Sequence, residues 1–349
     1  MYNLVEKIGE VNYYIVSNKY LLYKQNNDII YQNKVIEKDV DDDVILTGNN
    51  IFYNKDSGFY CKNLIENDKM FFDNYRILNI NPMFNESGVI IDNDNSIYLY
   101  SKISFNKNKI DISNYDWGSI YLDSDYIFIG QNNTILTYHI PTASLFWQFP
   151  LSQFGTFKTN HGNEENYNVK RFIGVWENEL LVACSNSLIL AIDIETGDLL
   201  HQWQSFKKPE NIKAYRKEKL PEAPDFRLDV KNNKLIASAY YSYLEIDLNT
   251  KEIKVTDLKD QLEEHDIFSF NLALEKPFSD THMFSTVIVI KKTSNILKNG
   301  LVAINRQTKK IDWFYTDEMF GTGTNSPKLV EDKLYQLTLD GKLYIFEKE

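Results

Sequence analysis

Residues 172–203 read FIGVW-EN-ELLVA-CSN-SLILAIDIETGDLLHQW, and this stretch decides the fold. Short apolar runs are split by polar turns, and the last run ends on Trp203. Runs of this length, rich in β-branched and aromatic residues and bounded by Asn, Asp or Gly, signal strand–turn–strand units. Working outward, the same beats recur in both directions. Upstream are YYIVS-NK-YLLYKQ-NN-DIIYQ (13–32), DVILTG-NN-IFYNK-DS-GFYCK (43–62), FNESGVII-DNDN-SIYLY (84–100) and SIYLD-SD-YIFIG-QNN-TILTYHI (119–140). Downstream are FRLDV-KNN-KLIASAY-YS-YLEIDL (226–248), a looser copy over 284–304, and KLV-ED-KLYQLTL-DG-KLYIF (328–346). Internal repetition at this period is the mark of a repeat architecture.

Asn does the turn work usually left to Gly. The pairs Asn26-Asn27, Asn49-Asn50, Asn132-Asn133 and Asn232-Asn233 all fall between runs, where Asn tolerates positive φ. A second signature follows the third run. Thr142, Thr196, Thr250 and Thr308 recur in equivalent turns, and Trp147, Trp203 and Trp313 follow three of them. The pattern predicts a third strand, a Thr-containing turn, and a fourth strand whose Trp caps the next sheet. Four-stranded units repeated this way build an all-β propeller.

The motif resembles the PQQ-like repeat of the quinoprotein dehydrogenase-like β-propellers, A-x-D-x-x-T-G-x-x-x-W. Ala191 to Gly197 with Trp203 is the nearest copy, although its Trp stands two residues late. True quinoprotein enzymes bind PQQ and Ca²⁺. This chain is shorter than those enzymes and has no adjacent cysteine pair, so the resemblance implies a non-enzymatic member with no cofactor.

Third strands centred near Ile30, Tyr60, Tyr98, Leu136, Ile189, Leu244, Val302 and Tyr344 predict eight blades, with seven as the alternative count. The last copy has no outer strand of its own, and the N-terminal run Tyr2 to Lys7 is expected to supply it and close the ring. One domain is expected over 1–349.

Composition narrows the function. The 14% aromatic content excludes a disordered chain. A net charge of −11 argues against a nucleic-acid binder and suits a basic protein partner. No apolar run approaches a membrane span, and the first residues do not read as a signal peptide. A cytoplasmic monomer is expected. Cys61 and Cys184 read as packed sheet residues. The five histidines show no metal spacing, and Asp92 to Ile103 lacks the Gly and Glu of a calcium loop. No metal or catalytic set is expected. Trp117 and Trp176 stay open to a sugar-stacking role.

In an up-and-down blade, the second-to-third turn and the link to the next blade share one face. The long irregular segments fall there: 150–170, 205–224, 256–267, 316–326 and the 291–299 insertion, all in blades 4 to 8. Loops on a rigid scaffold carry binding. The candidate partner-binding residues are Phe154, Phe157, His161, Lys207, Lys208, Lys213, Tyr215, Arg216, Lys217 and Phe320. The expected function is non-enzymatic protein binding, as an immunity-type inhibitor of a basic toxin or a cytoplasmic assembly scaffold. The alternative is an enzyme or carbohydrate-binding propeller working at the central channel mouth.

Overall fold

A computed structural model describes residues 1–17, 20–41, 44–47, 49–56, 58–72, 75–79, 87–92, 97–101, 108–110, 120–123, 125–131, 133–142, 144–159, 161–204, 226–271, 276–291, 296–317 and 325–349. Among these, eight four-stranded antiparallel sheets form the blades of a β-propeller. In chain order they span 13–37, 44–72, 75–110, 120–150, 169–203, 227–257, 267–315, and 328–348 completed by 2–8. Each predicted third-strand centre falls in the third strand of its own blade.

The chain forms two compact units: Met1–Val11, Ile173–Glu195 and Leu199–Glu349 in one, Asn12–Phe172 with Thr196–Asp198 in the other. In the first unit, the strand Tyr2–Ile8 pairs antiparallel with Leu343–Lys348, from Tyr2 opposite Lys348 to Ile8 opposite Leu343. The N-terminal segment therefore completes the eighth blade.

Burial explains why the strands read as unbroken apolar runs rather than alternating ones. Leu180 to Cys184 in blade 5 are all fully buried, and so are Leu235 to Ala237 in blade 6. A middle strand covered on both faces has no polar side to show. Outer strands alternate instead: in Ser144–Pro150 only Trp147 and Phe149 are buried.

Asn supplies the turns where its backbone tolerance is needed. Asn26 and Asn27 are both left-handed (φ 47° and 68°), as a two-residue hairpin turn matched to strand twist requires. Asn133 and Asn233 are left-handed too, whereas Asn50 opens the strand Asn50–Lys55.

The third-to-outer turns lock neighbouring blades. In the second unit, Gly197 (φ 77°) lies under the Trp147 indole, where a Cβ would approach Cδ2 to 2.8 Å. In the first unit, Lys251 and Lys309 take the equivalent left-handed position (φ 62° and 57°). Lys251 bonds Glu179 of blade 5 at 2.8 Å and lies 5.0 Å from the Trp176 ring centre. The Trp203 indole N–H donates to the Lys251 carbonyl at 3.0 Å. Lys309 repeats the device one blade on, bonding Glu245 at 2.6 Å over the Tyr243 ring. Trp313 packs edge-on to Phe346 of blade 8 at 5.4 Å.

The late Trp203 has a simple cause. His201 stands opposite Ala191, the place that Trp147 and Trp313 hold opposite Thr137 and Ala303. Trp203 is two residues on, on the same face of the strand.

Candidate functional site

The 150–170 link is a built element. Leu151–Phe154 form a 3-10 turn, and Thr156–Lys158 pair with Glu164–Asn166 as a small hairpin. Leu151 is buried, and its N–H bonds the Asn133 carbonyl at 2.8 Å. Phe154 and Phe157 are half-buried, with ring centres 6.1 and 5.0 Å from the buried Tyr167. They form the foot that seats the hairpin. The tip presents His161, and the returning strand presents Glu164 and Glu165, all exposed.

The 256–267 link is a short helix, Lys259–Glu264. Leu258 and Leu262 are fully buried against blades 6 and 7. Gln261 bonds blade 7 twice, donating to the Lys309 carbonyl at 3.1 Å and accepting from the Ile311 N–H at 2.9 Å. Asp260, Glu263, Glu264 and Asp266 are left facing solvent. The expected 291–299 insertion differs in kind. The ladder runs on through His282–Lys291 and Ile296–Asn305, down to Lys291 opposite Ile296, so the extra residues lengthen strands. The β-branched run Val287 to Ile290 favours that outcome.

Lys207, Lys208, Lys213, Tyr215, Arg216, Lys217 and Phe320 lie outside the described residues, as does Trp117. Before Phe320, Asp317 accepts hydrogen bonds from Tyr315 at 3.2 Å and Tyr344 at 3.4 Å. Burial, with that carboxylate beside them, raises both phenols.

For sugar stacking, the described tryptophans are already committed. Trp147, Trp176, Trp203 and Trp313 are all buried, and Trp176 donates its indole N–H to Asn233 Oδ1 at 3.0 Å. Among groups for catalysis, burial pushes the Cys184 thiol up to about 12, which leaves it protonated at neutral pH. No group of metal-binding side chains occurs among the described residues. Among the described residues, the nearest arrangement to a nucleophile–base–acid set is Thr281 Oγ1, 2.9 Å from His282 Nδ1, with His282 Nε2 3.1 Å from Asp312. Ser279 and His282 close a tight turn here, with Ser279 N–H on the His282 carbonyl at 2.8 Å. Asp312 also accepts from Asn305 at 2.8 Å. These bonds tie an exposed turn to the outer strand of blade 7.

Sequence reasoning passed over two exposed aromatics, Tyr240 in the second-to-third turn of blade 6 and Phe268 in the first strand of blade 7. Within an aromatic-rich sequence nothing marks them out, because their exposure comes from local backbone geometry. Tyr240 is left-handed (φ 55°), and Phe268 falls in a register shift between Ile267 and Ser269.

No protein-family model matches the chain. No curated protein matches it either. Among solved structures, the chain is similar to Sqt1 from Saccharomyces cerevisiae, with a TM-score of 0.60, 11% identity and 99% of each chain covered. It is also similar to BamB from Moraxella catarrhalis, with a TM-score of 0.50, 9% identity and 100% of each chain covered. Both are β-propellers, and identities this low speak to the fold alone.

Proposed function

We propose that this chain is a non-enzymatic propeller of the PQQ-like type that binds another protein through the inter-blade links of blades 4 to 8. One observation carries the reading. The described links are not slack connections: each forms a seated element, the hairpin on Tyr167 and the helix on Leu258 and Leu262, while its polar residues face solvent. Seating a surface segment costs conformational entropy. Ordered links on a rigid scaffold are the usual carriers of recognition. The charge of −11 supports a basic partner, reached faster through electrostatic steering. In this reading the protein works in the cytoplasm, as a neutralising inhibitor or an assembly scaffold.

The test is affinity capture with the full-length chain, read by quantitative mass spectrometry. Thr156 stands opposite Asn166, so residues 157–165 can be replaced by two glycines without stretching the backbone. Capture of at least one partner should fall about tenfold in this variant or in a Glu263→Gln/Glu264→Gln variant. An identical captured set in all three proteins would overturn the reading.

A further inference from the structure

Blade 6 turns from its second to its third strand through Tyr240 and Tyr241, between Ala239 and Ser242. Tyr240 adopts φ 55° there, a conformation that turn chemistry gives to Gly or Asn and that a bulky side chain disfavours. Its side chain is 44% exposed. In the neighbouring first strand of blade 7, Ile267 stands opposite Val289 and Ser269 opposite Ile288, so Phe268 has no partner across the ladder. Bulges of this kind re-aim a side chain, and Phe268 is 51% exposed. The two distortions are adjacent. The Phe270 N–H bonds the Tyr240 carbonyl at 2.8 Å, and the Tyr241 and Phe268 rings meet edge-on at 6.4 Å. Two separate departures from regular geometry thus stand side by side, with the Tyr240 and Phe268 side chains both exposed.

Carboxylates dominate the rim of this exposed patch. The Leu258 N–H bonds the Tyr241 carbonyl at 2.8 Å, so the chain leaves the patch directly into the helix bearing Asp260, Glu263 and Glu264. It returns through Asp266 to Phe268. The single basic side chain of the helix, Lys259, is paired with Glu263 at 3.5 Å. Aromatic faces and carboxylates both favour a cation, through the ring quadrupole and through Coulomb attraction. Guanidinium groups satisfy both at once.

We propose that this edge, formed by Tyr240, Tyr241, Phe268 and the acidic 260–266 rim, docks an arginine-rich segment of a partner protein. The proposal rests on the protein-binding reading above and assigns that reading a place and a partner chemistry. Tyr240 is the aromatic anchor, Phe268 the second face, and the carboxylates set orientation and approach rate.

The test uses a fluorescein-labelled decapeptide of alternating Arg and Gly, titrated by anisotropy against the full-length protein. Tyr240→Gly and Phe268→Ser should each weaken binding about tenfold, and Asp260→Asn/Glu263→Gln/Glu264→Gln should do the same while flattening the salt dependence. A control, Glu66→Gln/Glu195→Gln/Glu252→Gln, at exposed carboxylates outside the inter-blade links, changes net charge equally and should leave the affinity within twofold. Equal loss in the control, unchanged binding by Tyr240→Gly, or no binding by the wild type would overturn the proposal. The aromatic variants are then carried through the capture experiment. Partners retained by them remove this edge from the site and leave protein binding standing, whereas a wild type that captures nothing fails the broader reading.

Discussion

Lys251 shows how one residue can both strain the backbone and hold two blades. Its φ of 62° favours glycine, and the corresponding position in blade 5 is Gly197. What lysine supplies instead is a half-buried ion pair with Glu179, stacked near Trp176 and Trp203, with its carbonyl taking the Trp203 N–H. Two effects therefore oppose each other on substitution. Lys251→Ala keeps the backbone strain and leaves Glu179 without its cation, so it should cost about 2–3 kcal/mol. Lys251→Gly loses the same pair but relaxes the backbone, and should cost about 1 kcal/mol less. Urea unfolding of the three proteins checks the order. Equal losses would mean that the left-handed backbone carries no strain here. The sequence offered the position through the Thr250-Lys251 turn, but the carboxylate it pairs with lies 72 residues away and was not legible.

At the scale of the element, the outer strand Lys34–Glu37 ends on the group that ties it to blade 2. Burial alone would raise the Glu37 carboxyl, yet hydrogen bonds from Lys69, Tyr53 and Lys55 hold it below the usual glutamate range. A carboxylate lowered in the folded state stabilises fully above its unfolded pKa of about 4.3, and that contribution is withdrawn as pH falls through the folded value. Glu37→Gln should thus lower the unfolding temperature at pH 7 and flatten its decline below pH 4.5 or so. Parallel declines in the two proteins would show that Glu37 stays uncoupled from folding. Strands of this kind were legible from their apolar runs and Asn turns, because turn chemistry is local. The outer-strand bulges were not. Ile36, Phe146, Leu200 and Asp312 are each skipped in the pairing at the same place in four blades. A bulge leaves no mark on the alternation of a sequence this rich in apolar residues. The helix Lys259–Glu264 escaped for another reason: a helix of six residues is too short to show a 3.6-residue stripe, and its seating on Leu258 and Leu262 depends on blades read separately.

For the whole molecule, the N-terminal strand decides whether the last blade ends in an open edge. Tyr2–Ile8 covers the backbone of Leu343–Lys348, with the irregularity at Val5 as its own bulge. Its residues stay polar toward solvent at Asn3 and Glu6, while the Lys7 ammonium folds over the Tyr344 ring at 4.6 Å and pairs with Asp317 at 3.7 Å; charges on an edge strand discourage further strand addition. Tyr2 turns inward, edge-on to Phe284 at 5.2 Å and tilted against Trp313 at 5.8 Å. Removing residues 1–8 takes away both the ladder and this ring. The cost should be about 3 kcal/mol or more, a fall in Tm on the order of 5 °C for a chain of this size. The exposed edge of Leu343–Lys348 should then recruit another strand, so light scattering should find concentration-dependent association where the full chain shows less. Adding a peptide of residues 1–8 should reverse both changes, because the ladder needs only the strand and not its covalent link. If the truncated chain keeps its Tm and its mass, or if the peptide restores neither, the eighth blade is stable with three strands and the N-terminal strand is an ornament rather than a closure.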